Sequence, residues 1–138
     1  MKTAVLYYSY TGKTRALAEK RAGEEGAELI EVRERKPRST LGAYVMGSLA
    51  ARRRKKAEIL PVSRDLSAFD RFLILIPLWA GFPAPPFNNM LDLLPKGSEV
   101  ELVITSGSEN SGGSKEKTIA LAAAKDIKIV KYQDVKTA

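Results

Sequence analysis

The sequence contains no cysteine and no histidine. That removes disulfides, thiol catalysis, iron–sulfur clusters and histidine general bases. A zinc site would have to be built from carboxylates alone, which zinc rarely accepts. Any redox chemistry must come from a borrowed cofactor. Tryptophan occurs once, at position 79. Long apolar runs are also missing. The first, Ala4 to Tyr8, is too short for a secretory leader or a membrane span, so the chain reads as a cytoplasmic protein with no membrane span.

What is present suits one domain over residues 1–138. A chain of 138 residues buries roughly two thirds of its unfolded surface, enough for a core without metal or disulfide. The formal charge is +7. It fits either a solvated basic surface or an anionic partner, such as an acidic redox protein, nucleic acid or membrane; composition does not choose.

The hydrophobic pattern alternates strands with helices. Thr3–Tyr8 is an apolar strand that stops at a Ser/Thr/Gly turn, and helix formers follow over Thr14–Glu25. Ala27–Val32 alternates and is expected nearer a sheet edge. Ser39 and Thr40 are candidate caps for a helix whose apolar face is Leu41, Tyr44, Val45 and Leu49. That helix ends in Ala51–Lys56, "ARRRKK". The basic run is either a solvated helix end, favoured by the dipole, or a docking patch. Arg71–Pro77 is the most apolar run and predicts a strand buried on both faces. A helix is expected from Pro85 or Pro86, a fourth strand over Glu99–Thr105, a helix over Lys115–Ala124 and a fifth strand over Ile127–Gln133. Right-handed crossovers turn this order into a doubly wound parallel sheet. Its ligand site belongs beyond the strand C-termini. Three turn-rich loops fall there: Ser9–Thr14, Leu78–Pro83 and Ser106–Ser114.

The first loop, "SYTGKT", ends like a triphosphate loop, but that motif needs a glycine where Tyr7 stands. No acid follows Ile76-Pro77 to hold magnesium. One phosphate fits better. Ser9, Thr11 and Thr14 supply hydroxyls, the N–H groups of Thr11 to Thr14 converge, and the helix adds its positive end. An ordinary strand–helix turn capped by Ser and Thr is the alternative.

"VLYYSYTGKTRALA" (Val5–Ala18) resembles the N-terminal signature of the flavodoxin family, through Ser9, Thr11, Gly12, Thr14 and Ala18. Arg21 departs from the aliphatic residue usual there. Asp65–Leu91 is similar to the family's third-strand region, with Pro77, Trp79 and Gly81 in place, and Thr105–Ser114 resembles its Gly/Ser-rich third loop. The resemblance implies a flavodoxin-like α/β fold: a doubly wound five-stranded parallel sheet in three α/β/α layers, lacking the last helix. It implies FMN as cofactor. Ser9, Tyr10, Thr11, Gly12, Lys13 and Thr14 would hold the phosphate. Pro77, Leu78, Trp79, Ala80, Gly81 and Phe82 would border the ring, with Trp79 stacked on it. Ser106, Gly107, Ser108, Asn110 and Gly112 would meet its pyrimidine end. No side chain then acts as general acid or base.

The implied activity is electron transfer, as a flavodoxin-type carrier or a small FMN-dependent NAD(P)H or quinone oxidoreductase. A flavodoxin-like binding module that has lost FMN is the alternative. Flavodoxins commonly surround the ring with acids, whereas this chain is basic despite Glu109. The expected counterpart is therefore an anionic redox protein or a small-molecule electron donor or acceptor, and no nucleic acid. Without a final helix one sheet face needs other cover, and a homodimer is the expected source.

Overall fold

The structure is a computed structural model describing residues 2–36, 38–107 and 110–137 and, of Ala43 and Tyr44, the backbone. The predicted alternation is observed. The strands are β1 (Thr3–Tyr7), β2 (Glu28–Glu31), β3 (Arg71–Trp79), β4 (Phe82–Pro83), β5 (Glu99–Ser106) and β6 (Lys128–Lys136). Their order is β2-β1-β3-β5-β6, all parallel, with β4 antiparallel on β3. The expected five-stranded parallel sheet is there, and the short β4 makes a sixth strand. The order reverses at β1, so the crevice between the C-terminal ends of β1 and β3 is the switch point.

Strand alternation divides the core. Ala4, Leu6, Phe72, Ile74, Ile76, Leu102 and Ile104 face the larger cluster. That cluster lies under α4 (Pro86–Leu93) and α5 (Lys115–Ala124), which contribute Phe87, Met90, Leu91 and Ala122. Val5, Tyr7, Leu73, Leu75 and Val103 face the smaller cluster, with Ala18 and Ala22 of α1 (Lys13–Glu25). β1 and β3 are apolar over Ala4–Tyr7 and Phe72–Ile76 because both faces are covered.

Between β2 and β3 the chain leaves the sheet. Antiparallel contacts tie the base of this excursion: Arg35 N–H donates to Glu58 O at 2.8 Å and Leu60 N–H to Arg33 O at 2.8 Å. It carries α2 (Thr40–Gly42), a π-helical turn (Ala43–Gly47) and α3 (Ser48–Arg52). Ser39 caps it as expected, its Oγ accepting from Gly42 N–H at 3.0 Å. The apolar face read from the sequence behaves differently: Leu41, Val45 and Leu49 point to solvent, and the side chain of Tyr44 lies outside the described residues.

The face beside α1 shows why Arg21 is not aliphatic. Glu101 of β5 is 2% exposed. Arg21 Nη2 donates to it at 3.1 Å, Arg71 Nη2 at 3.4 Å, and Lys131 Nζ stands at 3.8 Å. Among the described residues no helix follows β6. On this face β6 presents Lys131, Gln133 and Val135, the residues in register with Glu101, Val103 and Thr105. Lys131 and Gln133 stand where a further helix would need apolar groups, whereas Val135 packs on the smaller cluster.

Candidate functional site

The first loop begins where β1 ends. Gly12 has φ +97° and precedes α1. A Cβ there would touch nothing within 4 Å, so the backbone conformation, not space, demands glycine. Gly12 N–H donates to Ser9 Oγ at 3.0 Å, which leaves the Ser9 hydroxyl hydrogen to donate elsewhere. Thr11, Gly12 and Lys13 are exposed. The first turn of α1 carries no acidic residue and no side-chain cap. Its orphan N–H groups and positive dipole end therefore face solvent without a competing carboxylate. That is what a single phosphate requires.

Thr14 has a different place from Ser9 and Thr11. It is buried, and its Oγ1 shares a 2.8 Å hydrogen bond with Thr105 Oγ1 of β5. Its hydroxyl thus joins the first loop to the start of the third, while its backbone N–H stays in the ring at the helix start.

The second loop is tighter than its sequence suggests. β3 runs past Pro77 to Trp79 and reverses at once, pairing Leu78 with Pro83 and Trp79 with Phe82. The two turn residues have positive φ, Ala80 at 51° and Gly81 at 85°. This is the type I′ pattern that matches strand twist. Pro77 survives in a strand because β1 ends opposite Leu75, so no ladder partner needs its missing N–H. Its carbonyl accepts from Ala84 N–H at 2.9 Å. Pro77, Leu78, Trp79, Gly81 and Phe82 are half-buried, and Ala80 is exposed at the tip.

Trp79 sits in an aromatic box. Tyr8 and Tyr10 meet it edge-on, with centroids 5.9 and 5.8 Å away. The Arg38 guanidinium lies 5.8 Å from its ring. Gly47 of the excursion closes the box: a Cβ there would come within 2.7 Å of Trp79 Cζ3. Hydrogen bonds fix the walls. Tyr8 Oη donates to Glu34, Arg38 Nε donates to Glu34 Oε2 at 2.9 Å, and Tyr10 Oη donates to Arg38 O at 2.8 Å. Burial, then the bond to Glu34, pushes the Tyr8 phenol far above its ordinary pKa, so it remains a donor. A cavity of about 420 Å³ opens beside this box, bordered by Ser9, Tyr10, Glu31 and Arg33.

The third loop is anchored from β6. Ser111 N–H and Oγ donate to Asp134 Oδ1 at 3.0 and 2.6 Å, and Ser111 Oγ also meets Tyr132 Oη. Ser106 O accepts from Thr137 N–H at 2.7 Å. Gly112, expected to offer its N–H to a ligand, instead donates to Asn110 Oδ1 at 3.0 Å. Gly107 and Asn110 are exposed. Ser108, and Glu109 beside it, lie outside the described residues. Lys117 of α5 lies 5.9 Å from the Phe82 ring, and Arg54 lies 5.6 Å from it. All three loops thus meet on one rim: the first and third through Thr14–Thr105, the first and second through Tyr10–Trp79, and the second reaches α5 through Phe82–Lys117.

No protein-family model matches the sequence, and no curated protein matches it. Solved structures do. A flavoprotein in complex with FMN from Lactobacillus acidophilus is 25% identical with TM-score 0.79, over 96% of this chain and 92% of that one. A flavoprotein structure from Bacteroides eggerthii is 20% identical with TM-score 0.84, over 99% and 89%. A flavodoxin, WrbA-like protein from Agrobacterium tumefaciens is 18% identical with TM-score 0.60, over 99% and 85%.

The protein has a flavodoxin-like fold. Its strand order is that of the fold, and the Ser9–Thr14 loop lies at the switch point. Two features around this candidate site escape sequence reasoning. Ser111 and Asp134 are 23 residues apart, and only strand register brings them together. Asn88 and Asn89, adjacent polar residues in a mostly apolar helix, were the visible signal for the second. Asn88 Nδ2 donates to Lys55 O at 3.0 Å, and Asn89 exchanges two 2.8 Å bonds with Ala57. They clamp the end of the basic run onto α4. Among the described residues there is no group of acids able to hold a metal, and no helix is long and apolar enough to cross a membrane.

Proposed function

We propose that this protein binds FMN and works in electron transfer, as a flavodoxin-type carrier or a small FMN-dependent NAD(P)H or quinone oxidoreductase. The observation that carries the reading is the cradle at Ser9–Thr14. It combines a glycine at φ +97°, an acid-free first helical turn and a Ser9 hydroxyl with its hydrogen free to donate. A phosphate monoester fits that chemistry, and the Lactobacillus structure it resembles was solved with FMN.

Bound FMN would supply the one- and two-electron chemistry that the side chains lack. The chain's residues bind and orient it. Ser9, Thr11, Gly12, Lys13 and the backbone of Thr14 hold the phosphate. The hairpin tip at Ala80-Gly81 presents peptide groups without bulky side chains, next to the half-buried Trp79. Thr105 and Ser111 fix the third loop at the opposite side. No residue here takes or gives a proton as general acid or base. The donor or acceptor that reaches the flavin is a small molecule or an anionic redox protein.

The test is direct. Purified protein is expected to be yellow and to release FMN on denaturation, or, if isolated colourless, to quench added FMN with one-to-one stoichiometry. Gly12→Val is expected to weaken that binding at least ten-fold. Protein that neither carries nor takes up FMN would refute the reading and leave the flavodoxin-like binding module. Oxidation of NADH or NADPH with a quinone acceptor then separates oxidoreductase from carrier.

A further inference from the structure

The charge of this chain is not spread over it. Between Arg35 and Lys56 lie eight of the 23 cations and none of the 16 acids. The rest of the chain therefore sets fifteen cations against sixteen acids, and the whole positive surplus sits in one segment. That segment is the excursion described above, tied at its base by Arg35–Glu58 and Arg33–Leu60.

Its helical part is amphipathic the wrong way round for a core element. The residues turned inward are Gly47 and Ala51, which are buried. The large aliphatic residues turn outward: Leu41 is 73% exposed, Met46 60%, Val45 51% and Leu49 41%. Their spacing of four, five and eight residues from Leu41 puts them on one side of the helical segment. Arg52, Arg53, Arg54, Lys55 and Lys56 follow immediately, all exposed. Lys56 pairs with Asp92. Among the described residues no carboxylate lies within ion-pair reach of Arg52, Arg53, Arg54 or Lys55. The run is nonetheless held in place, because Asn88 and Asn89 clamp the backbone at Lys55 and Ala57.

We infer that the excursion docks the protein on an anionic lipid surface. Aliphatic side chains on one helix side, flanked by unpaired cations, are what such a surface selects: the first enter the headgroup boundary and the second meet lipid phosphates. A flat sheet of phosphates makes no demand for register, which suits a run of consecutive cations splaying in several directions. An acidic protein would have to place its carboxylates opposite each of them. The contact is peripheral, since no described helix is long and apolar enough to span a bilayer. It would hold the flavin-site rim beside the membrane, because Gly47 packs on Trp79 and Arg54 lies over Phe82. The inference does not rest on the flavin: protein with and without FMN is expected to bind alike.

Flotation with vesicles tests it, comparing pure phosphatidylcholine with a mixture containing one third phosphatidylglycerol. Binding is expected to the mixture alone and to fall as salt rises. Replacing Arg52, Arg53 and Lys55 by Gln is expected to lower the partition coefficient about five-fold per cation, about a hundred-fold together. Leu41→Ser with Met46→Ser is expected to lower it about ten-fold. All five side chains are exposed, so thermal midpoints should stay at the wild-type value and report that the variants are folded. Equal partition into both vesicle types would overturn the proposal, as would wild-type binding by either variant. Salt-sensitive binding to polyglutamate without binding to the anionic vesicles would also overturn it, and would assign the face to an acidic protein.

Discussion

Arg21→Leu installs at position 21 the aliphatic residue that the flavodoxin resemblance leads one to expect, and it is expected to destabilise. The reason is Glu101. Its carboxylate is nearly fully buried, and Arg21 is its closest and least exposed partner, at 3.1 Å with 22% of its own side chain exposed. Burial alone would lower the Arg21 pKa, but the bond to Glu101 and the charges of Glu101 and Glu25 outweigh it and raise it. Removing one partner of a buried pair costs about 3–5 kcal/mol when the other is left uncompensated. Here Arg71 and Lys131 remain at 3.4 and 3.8 Å. Both are substantially exposed and hold Glu101 less well, so the cost should be about 2 kcal/mol, or a fall in Tm of about 6–8 °C for a chain this size.

The reverse change should cost little. In Glu101→Leu, Arg21 keeps Glu25 at 3.1 Å, and Arg71 and Lys131 reach water. The double variant Arg21→Leu, Glu101→Leu replaces an ion pair by an apolar contact under α1 and should return to within about 1 kcal/mol of wild type, or exceed it. Urea unfolding of all four proteins gives the cycle, provided the slopes agree. A coupling of about 1.5–2 kcal/mol is expected. Arg21→Leu alone within about 0.5 kcal/mol of wild type would refute the reasoning, because a buried carboxylate would then be content with two half-exposed cations.

Gly47→Ala is expected to cost about 1–3 kcal/mol, since the new methyl meets Trp79 at 2.7 Å and the ring is boxed by Tyr8 and Tyr10; a shift in the emission of this single tryptophan checks the cause. Ala80→Asn is expected to stabilise by about 0.5–1 kcal/mol in urea melts, because asparagine tolerates the positive φ of a type I′ turn better than alanine. Asp92 is held below the ordinary carboxylate range first by its bond to Lys125 and then by Lys56. Its contribution is therefore present at neutral pH and lost as pH falls below about 4. The stability difference between wild type and Asp92→Asn should close over that acid range, and a difference that stays constant with pH would contradict it.

The fold was legible because the signals were local. Each central strand is an apolar run ended by turn residues, and Gly12 sits where a strand gives way to a helix. The strand–turn–helix conformation at Ser9–Thr14 was legible for the same reason. Strand order was not, since it depends on which crossovers pass over which face. Nor was the role of Thr14: its spacing marks it as a loop hydroxyl, yet a residue 91 positions away claims it. The β3–β4 hairpin was missed because Pro77 reads as a strand end; it is harmless only because the neighbouring strand has already stopped. The helical spacing of Leu41, Val45 and Leu49 was read correctly as one face, but spacing does not say whether a face looks inward. Gly47 and Ala51, on the opposite side, decide that.

The excursion and the site are mechanically one object. Gly47 is the only contact size that lets the helical segment lie against Trp79, whose other neighbours are two tyrosines held through Glu34 and Arg38. The same Arg38 belongs to the cationic segment, but its charge is turned inward and paired with Glu34. At the other end of the segment Arg54 reaches Phe82, the residue that pairs with Trp79 across the hairpin. The segment thus touches both strands of the turn that presents Ala80 and Gly81, through Arg38 and Gly47 at Trp79 and through Arg54 at Phe82. A displacement of the segment away from the sheet would open the box at Gly47 and free the Trp79 ring. One that pressed it inward would meet a ring with no room to move. The segment is therefore seated at the closest approach that the Trp79 ring allows.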